Sequence, residues 1–126
     1  MELPSYPSTS RNRVFIANVL GLFLPEKGCI LETASGTGEH LHFFSEEFPS
    51  LYWQPSDKSS DLFWAICERS KNKKNINGPI SIDLTSGSFK LKRKKFDAVL
   101  NINMIHIAPW EACIGTTFPS LTQLYD

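Results

Sequence analysis

The ten residues from Leu31 to His40, LETASGTGEH, restrict the fold more than any other part of the chain. The short apolar stretch GCIL, opened by Gly28, reads as a buried strand over residues 28–32. After the loop, Leu41, Phe44 and Phe48 recur on one helical face until Pro49. The order is strand, small-residue loop, helix. Gly36 and Gly38 permit a tight turn and close backbone approach, and the amides opening the following helix attract an anionic group. The same glycine spacing also serves as a plain strand-to-helix connection, so the positions of the acidic residues carry the next step.

The rest of the chain repeats the alternation. Residues 1–9, with Pro4 and Pro7 among Ser and Thr, read as a flexible N-terminal arm. Ser10 suits an N-cap for a helix from Arg11 to Leu24, in which Ile16, Val19, Leu20, Phe23 and Leu24 form the apolar stripe and Pro25 the stop. LYWQ at 51–54 predicts a second strand ending in a PSD turn. A helix follows from about Ser59 to Ser70, with Asp61 in its first turn. GPISID at 78–83 and FDAVLNIN at 96–103 predict a third and a fourth strand, joined by a hydrophilic connection, and a last helix is expected to start near Pro109. Strands alternating with helices imply parallel crossovers in an α/β sheet, with ligands in the crevice beyond the strand carboxyl ends. A chain of 126 residues that is 41% hydrophobic builds one core and one domain, over residues 10–126.

Three acids, Glu32, Asp57 and Asp83, each close one of three successive strands. Asp57 lies nineteen residues beyond Gly38, where a carboxylate in a Rossmann-like unit accepts hydrogen bonds from ribose hydroxyls; it is also good turn chemistry. A dinucleotide pyrophosphate prefers a third glycine where this chain has Leu41, and Glu32 would repel phosphates. S-adenosylmethionine suits the pattern better. It offers a ribose for Asp57, an adenine edge for Asp83, a carboxylate for the loop amides and cationic groups that tolerate acidic neighbours.

LETASGTGEH resembles motif I of the class I S-adenosylmethionine-dependent methyltransferases, with Ala34 where many members have a first glycine. More narrowly, SRNR, ETASGTGEH, WQPSD, SIDLT and FDAVLNINMIHIAPWEA, in that order from Ser10 to Ala112, resemble the methyltransferase-like protein 26 family. The resemblance implies that Glu32, Ala34, Ser35, Gly36 and Gly38 border the methionine part of the cofactor, Asp57 the ribose and Asp83 the adenine. It also sets the Arg11 and Asn12 pair over the pocket, although these two residues equally suit a solvated helix start. The fold implied is a Rossmann-like three-layer sandwich. Its parallel sheet has strand order 3-2-1-4 and is truncated after the fourth strand, because the family continues through three further strands where this chain runs CIGTTFPSLTQLYD. The fourth strand is then expected at the rim as an apolar edge, which favours a homodimer or a second chain covering it.

Methyl transfer from a sulfonium is an in-line displacement that depends mainly on alignment, with a base helpful in some cases. His106 is the candidate base and Asn103 its acceptor-side neighbour, on the same strand face as Asn101; a histidine simply bonded to nearby backbone is the structural alternative. The expected function is methyl transfer to a small-molecule acceptor, and the alternative is a cofactor-binding module without turnover.

Other classes are disfavoured. His40 and His42, two apart on a helix, do not face each other to share a metal. Thirteen basic and thirteen acidic residues cancel, and the KLKRKK run at 90–95 holds no aromatic, so no nucleic-acid partner is expected. Cys29, Cys67 and Cys113 have no framework spacing, and no apolar run reaches the ~18 residues of a membrane span, which fits a cytoplasmic protein without a membrane partner.

Overall fold

The structure is a computed structural model and describes residues 3–4, 7–82, 96–101 and 106–109, of which residues 7–11 and 106–109 are described by backbone alone. In chain order the elements are α1 (Pro7–Leu20), β1 (Gly28–Thr33), α2 (Glu39–Glu47), β2 (Leu51–Asp57), α3 (Phe63–Arg69), β3 (Ile80–Ser81), β4 (Ala98–Asn101) and β5 (His106–Pro109). The sheet runs β3-β2-β1-β4-β5. Its first four strands are parallel and give the expected order 3-2-1-4.

β1 is central and nearly wholly buried, which explains its unbroken apolar reading. Alternate residues feed two cores. Ile30, Leu51, Trp53, Ala98 and Leu100 pack beneath Ile16, Ala17 and Leu20 of α1 and Leu41 and Phe44 of α2. Cys29, Leu31 and Val99 pack on the other face with Ile82 and Phe96. Gly28 makes this entry possible, since with φ +133° its Cα passes so close to Asp97 that a Cβ would fall 2.2 Å from Oδ2. The Asp97 carboxylate in turn accepts the Cys29 amide at 2.7 Å.

Several boundaries differ from those expected, each for a local reason. α1 begins at Pro7, inside the stretch read as an arm, because proline suits the first helical position; Ser10 is therefore within the helix and not its cap. The helix closes at Leu20 in a turn where the Phe23 and Leu24 amides both reach back to the Leu20 carbonyl, leaving Phe23 66% exposed. β2 continues through Pro55, Ser56 and Asp57 instead of turning at PSD. The partners that keep it extended are a loop serine and β3: Ser56 exchanges bonds with Ser35, and the Ile82 amide reaches the Asp57 carbonyl at 3.0 Å. α3 starts later than expected because side chains capture the backbone amides before it. Asp57 Oδ1 accepts from Ser59 N, and Ser59 Oγ accepts from Asp61 N.

The largest correction concerns the rim. β4 is not the edge: β5 folds back and pairs with it antiparallel, from Ala98 opposite Pro109 to Asn101 opposite His106. Pro109 therefore belongs to a strand, and the helix expected to start near it lies outside the described residues. The backbone groups along the outer side of an apolar strand need partners, and β5 supplies them. Trp110, the 90–95 run and residues 110–126 lie outside the described residues.

Candidate active site at the strand carboxyl ends

The expected cofactor residues on β1, its following loop and β2 come together at one end of the sheet. Glu32 and Thr33 finish β1, and the chain then turns through Ala34 (φ +56°), Gly36 (φ +56°) and Gly38 (φ +81°) into α2. Gly38 is the residue preceding the helix, and its left-handed backbone lies against Ile66 of α3, where a Cβ would meet Cγ1 at 3.1 Å. Gly36 is different. A Cβ there would meet nothing within 4 Å, so its loop face is open.

Ala34 adopts a conformation that costs an L-residue about 1 to 2 kcal/mol and glycine little. Ala34→Gly is expected to raise stability by up to about 1 kcal/mol after the added chain entropy of glycine is offset. A chemical denaturation midpoint lower than that of the wild type would contradict the left-handed assignment.

Side chains bind the loop to β2. Ser35 N donates to the Ser56 carbonyl at 2.8 Å, while Ser56 N donates to Ser35 Oγ at 3.0 Å. The Ser56 hydroxyl donates to the Glu32 carbonyl at 2.6 Å. Asp57 Oδ2 accepts Gly36 N at 2.9 Å, so this carboxylate both ends β2 and fixes the glycine loop. From α3, Arg69 Nε donates to the Thr37 carbonyl at 3.0 Å, and the same guanidinium donates to the Pro4 carbonyl. Sequence reasoning missed Ser56 and Arg69. Serine in a strand and arginine in a last helical turn are ordinary choices, and only the fold reveals what they face.

Glu32 is 2% exposed, and its Oε1 has no hydrogen-bond partner. Burial pushes its carboxyl up to about 7; a Ser35 hydrogen bond acts in the opposite direction, and the nearby Asp57 charge adds to the rise. On the neighbouring strand Asn101 is buried too. Its amide nitrogen donates to Thr33 Oγ1 at 3.1 Å, and its Oδ1 is unpartnered. Two buried acceptors without donors therefore stand at the ends of adjacent strands. In the first turn of α2, burial holds His40 below its usual range, with Glu39 opposing and Arg13 assisting.

Of the remaining expected residues, Asp83 and Asn103 lie outside the described residues. His106 starts β5, opposite Asn101. Arg11 and Asn12 belong to α1, where Asn12 is exposed and the next residue, Arg13, sets its guanidinium 5.0 Å from the centre of the Phe43 ring. Among the described residues no three His, Cys, Asp or Glu side chains gather as a metal site, and no helix is long and apolar enough to cross a membrane. Hollows of about 440 Å³ around Glu26, Phe48 and Ser50 and about 590 Å³ around Tyr52 and Lys73 lie near the amino-terminal starts of the strands. None of the loop residues lines them.

Comparison with known proteins supplies the family and the fold. A family model described as "Protein of unknown function (DUF938)" matches residues 3–125. Among solved structures, coclaurine N-methyltransferase bound to N-methylheliamine and SAH superposes with a TM-score of 0.61 at 14% identity, over 89% of this chain and 33% of that one. YjhP from E. coli gives 0.59 at 18% identity, over 93% and 43%. The plantazolicin methyltransferase BpumL in complex with SAH gives 0.50 at 21%, over 71% and 32%. The chain thus spans between about a third and under a half of the length of these structures, and its fold is that of S-adenosylmethionine-dependent methyltransferases.

Proposed function

This chain belongs to the DUF938 family, and on that premise we propose that it binds S-adenosylmethionine at the carboxyl ends of β1 and β2 and serves methyl transfer to a small-molecule acceptor. The observation carrying this reading is the convergence of Glu32, an open Gly36 and Asp57 on one rim of a methyltransferase fold. The residues fit the cofactor's chemistry. The unpartnered Oε1 of Glu32 is an acceptor for an ammonium group, and an acidic site suits a cation where it would oppose a pyrophosphate. Each Asp57 oxygen already accepts one backbone amide and keeps a second lone pair for a ribose hydroxyl. Ala34, Ser35 and Gly38 shape the turn along the methionine part, Asp83 is assigned to the adenine, and Arg11 and Asn12 to the mouth of the pocket.

The cofactor supplies an activated methyl on a sulfonium, so this chain's own part is to orient and to exclude water. We assign His106 as the proton acceptor and Asn103 as the group orienting the acceptor molecule. Within the methyltransferase-like proteins, the motif order supports kinship with the methyltransferase-like protein 26 family. A second copy or another polypeptide joining the sheet beside β4 would extend it at β5, where Pro109 limits the pairing.

The second reading is a cofactor-binding module without turnover. Labelled methyl incorporation from S-adenosylmethionine into a metabolite extract separates the two. Binding is tested by calorimetry with SAH. Asp57→Ala is expected to weaken affinity 10- to 100-fold, about 1 to 3 kcal/mol for lost charge-assisted bonds. Equal affinity for SAH in the variant and the wild type, or binding of NADH instead, would remove the assignment.

A further inference from the structure

The fold brings one guanidinium to two main-chain carbonyls from distant parts of the sequence. Arg69, in the last turn of α3, donates through Nε to Thr37 in the loop between β1 and α2, and through its Nη2 to Pro4 near the amino terminus. Leu3 and Pro4 are half-buried, and three residues after Pro4 the chain enters α1, which packs on α2 through Ile16, Ala17 and Leu20. The arginine makes no ion pair among the described residues. Its planar fork is used on carbonyl oxygens, and its positive charge lies near α2, where burial above all, with this guanidinium as a lesser cause, holds His42 below its usual range. A surface arginine that served only solubility would have no reason to hold this geometry, since ordering its side chain costs up to about 2 kcal/mol of rotamer entropy.

We infer that Arg69 is a positioning residue that staples the amino-terminal segment to the glycine loop and so steadies the loop, lengthening the stay of a ligand held there. The inference rests on the proposed cofactor site for the identity of that ligand, but the staple is a property of the ligand-free chain. It is specific to arginine. Lysine keeps the charge yet offers a point donor, which cannot span two carbonyls in fixed geometry. Opening breaks two charge-assisted hydrogen bonds and frees the arm, while the sheet and both cores stay intact.

Three variants of the full chain test it: Arg69→Gln, Arg69→Lys, and a deletion of residues 1–4 that removes the Pro4 carbonyl and leaves the Thr37 bond. In ligand-free protein, hydrogen exchange of the peptide covering residues 5–12 is expected to accelerate in all three, with exchange in β1 and β2 unchanged. With SAH as probe, stopped-flow dissociation is expected to quicken at least tenfold in Arg69→Gln and in the deletion, and by less in Arg69→Lys. If the deletion releases SAH at the wild-type rate while Arg69→Gln releases it faster, Arg69 serves the loop alone and the staple is wrong. Unchanged exchange in Arg69→Gln overturns it as well. Accelerated exchange in the variants, with no SAH binding by the wild type, would uphold the staple and reject the cofactor reading instead.

Discussion

Gly28→Ala is expected to destabilise the protein by about 3 to 5 kcal/mol, a large share of a small domain's total. Two costs combine. The residue has φ +133°, a backbone region that L side chains rarely adopt, which costs on the order of 1 to 3 kcal/mol. Its new methyl would also lie 2.2 Å from Asp97 Oδ2, forcing the carboxylate away from the Cys29 amide it accepts at 2.7 Å, for about another 1 to 3 kcal/mol. Asp97→Ala removes the two shortest contacts but keeps the Cβ at 3.1 Å and the backbone strain. Urea denaturation of the two single variants and the double variant checks this. The double variant is expected to be less costly than the sum of the singles, and strict additivity would show that the methyl and the carboxylate do not meet.

The second large effect is a dependence of stability on pH. The Glu32 carboxyl is raised from 4.5 to about 7 in the folded chain, so the folded state holds a proton that the unfolded state has released between those values. Its contribution is complete below the unfolded value and is lost as pH rises through about 7. The loss is on the order of 3 kcal/mol. Glu32→Gln, neutral throughout, is expected to flatten that slope and to melt higher than the wild type at pH 8. A parallel pH profile for the two proteins would show that Glu32 is not the group responsible. A cationic ligand should reverse the preference. Binding at the carboxylate draws it into its charged form, releases a proton near neutral pH and strengthens as pH rises, which calorimetry in buffers of different ionisation enthalpy detects.

The central strand and the loop were legible in the sequence because each rests on local chemistry, whereas the strand order came with the family resemblance. An apolar run opened by Gly28 reads as a central strand, and glycines at 36 and 38 read as a turn into a helix. What was not legible depended on partners remote in sequence. PSD at 55–57 has excellent turn composition, yet it is strand because Ser35 and Ile82 occupy its backbone groups. Likewise, the periodicity of residues 106–109 carries no statement that β4 lies beside them. The glutamate was recognised as a site residue by its position. Its burial, with one oxygen unpartnered, follows from α1 and α2 closing over the same sheet face, which no local pattern encodes.

The exchange at Ser56 has a bearing on how such a rim can change over generations. Here the carbonyl of Glu32 is met by a hydroxyl, and the amide of Ser56 is spent on another hydroxyl across the crevice. Main-chain hydrogen bonds are indifferent to which amino acid carries them, so a ladder built from them is immune to most point substitutions. A seam made of two serines is not. One codon at position 35 or 56 can loosen the glycine loop from β2 while every ladder bond beneath it survives, so the width of the mouth is heritable separately from the stability of the sheet.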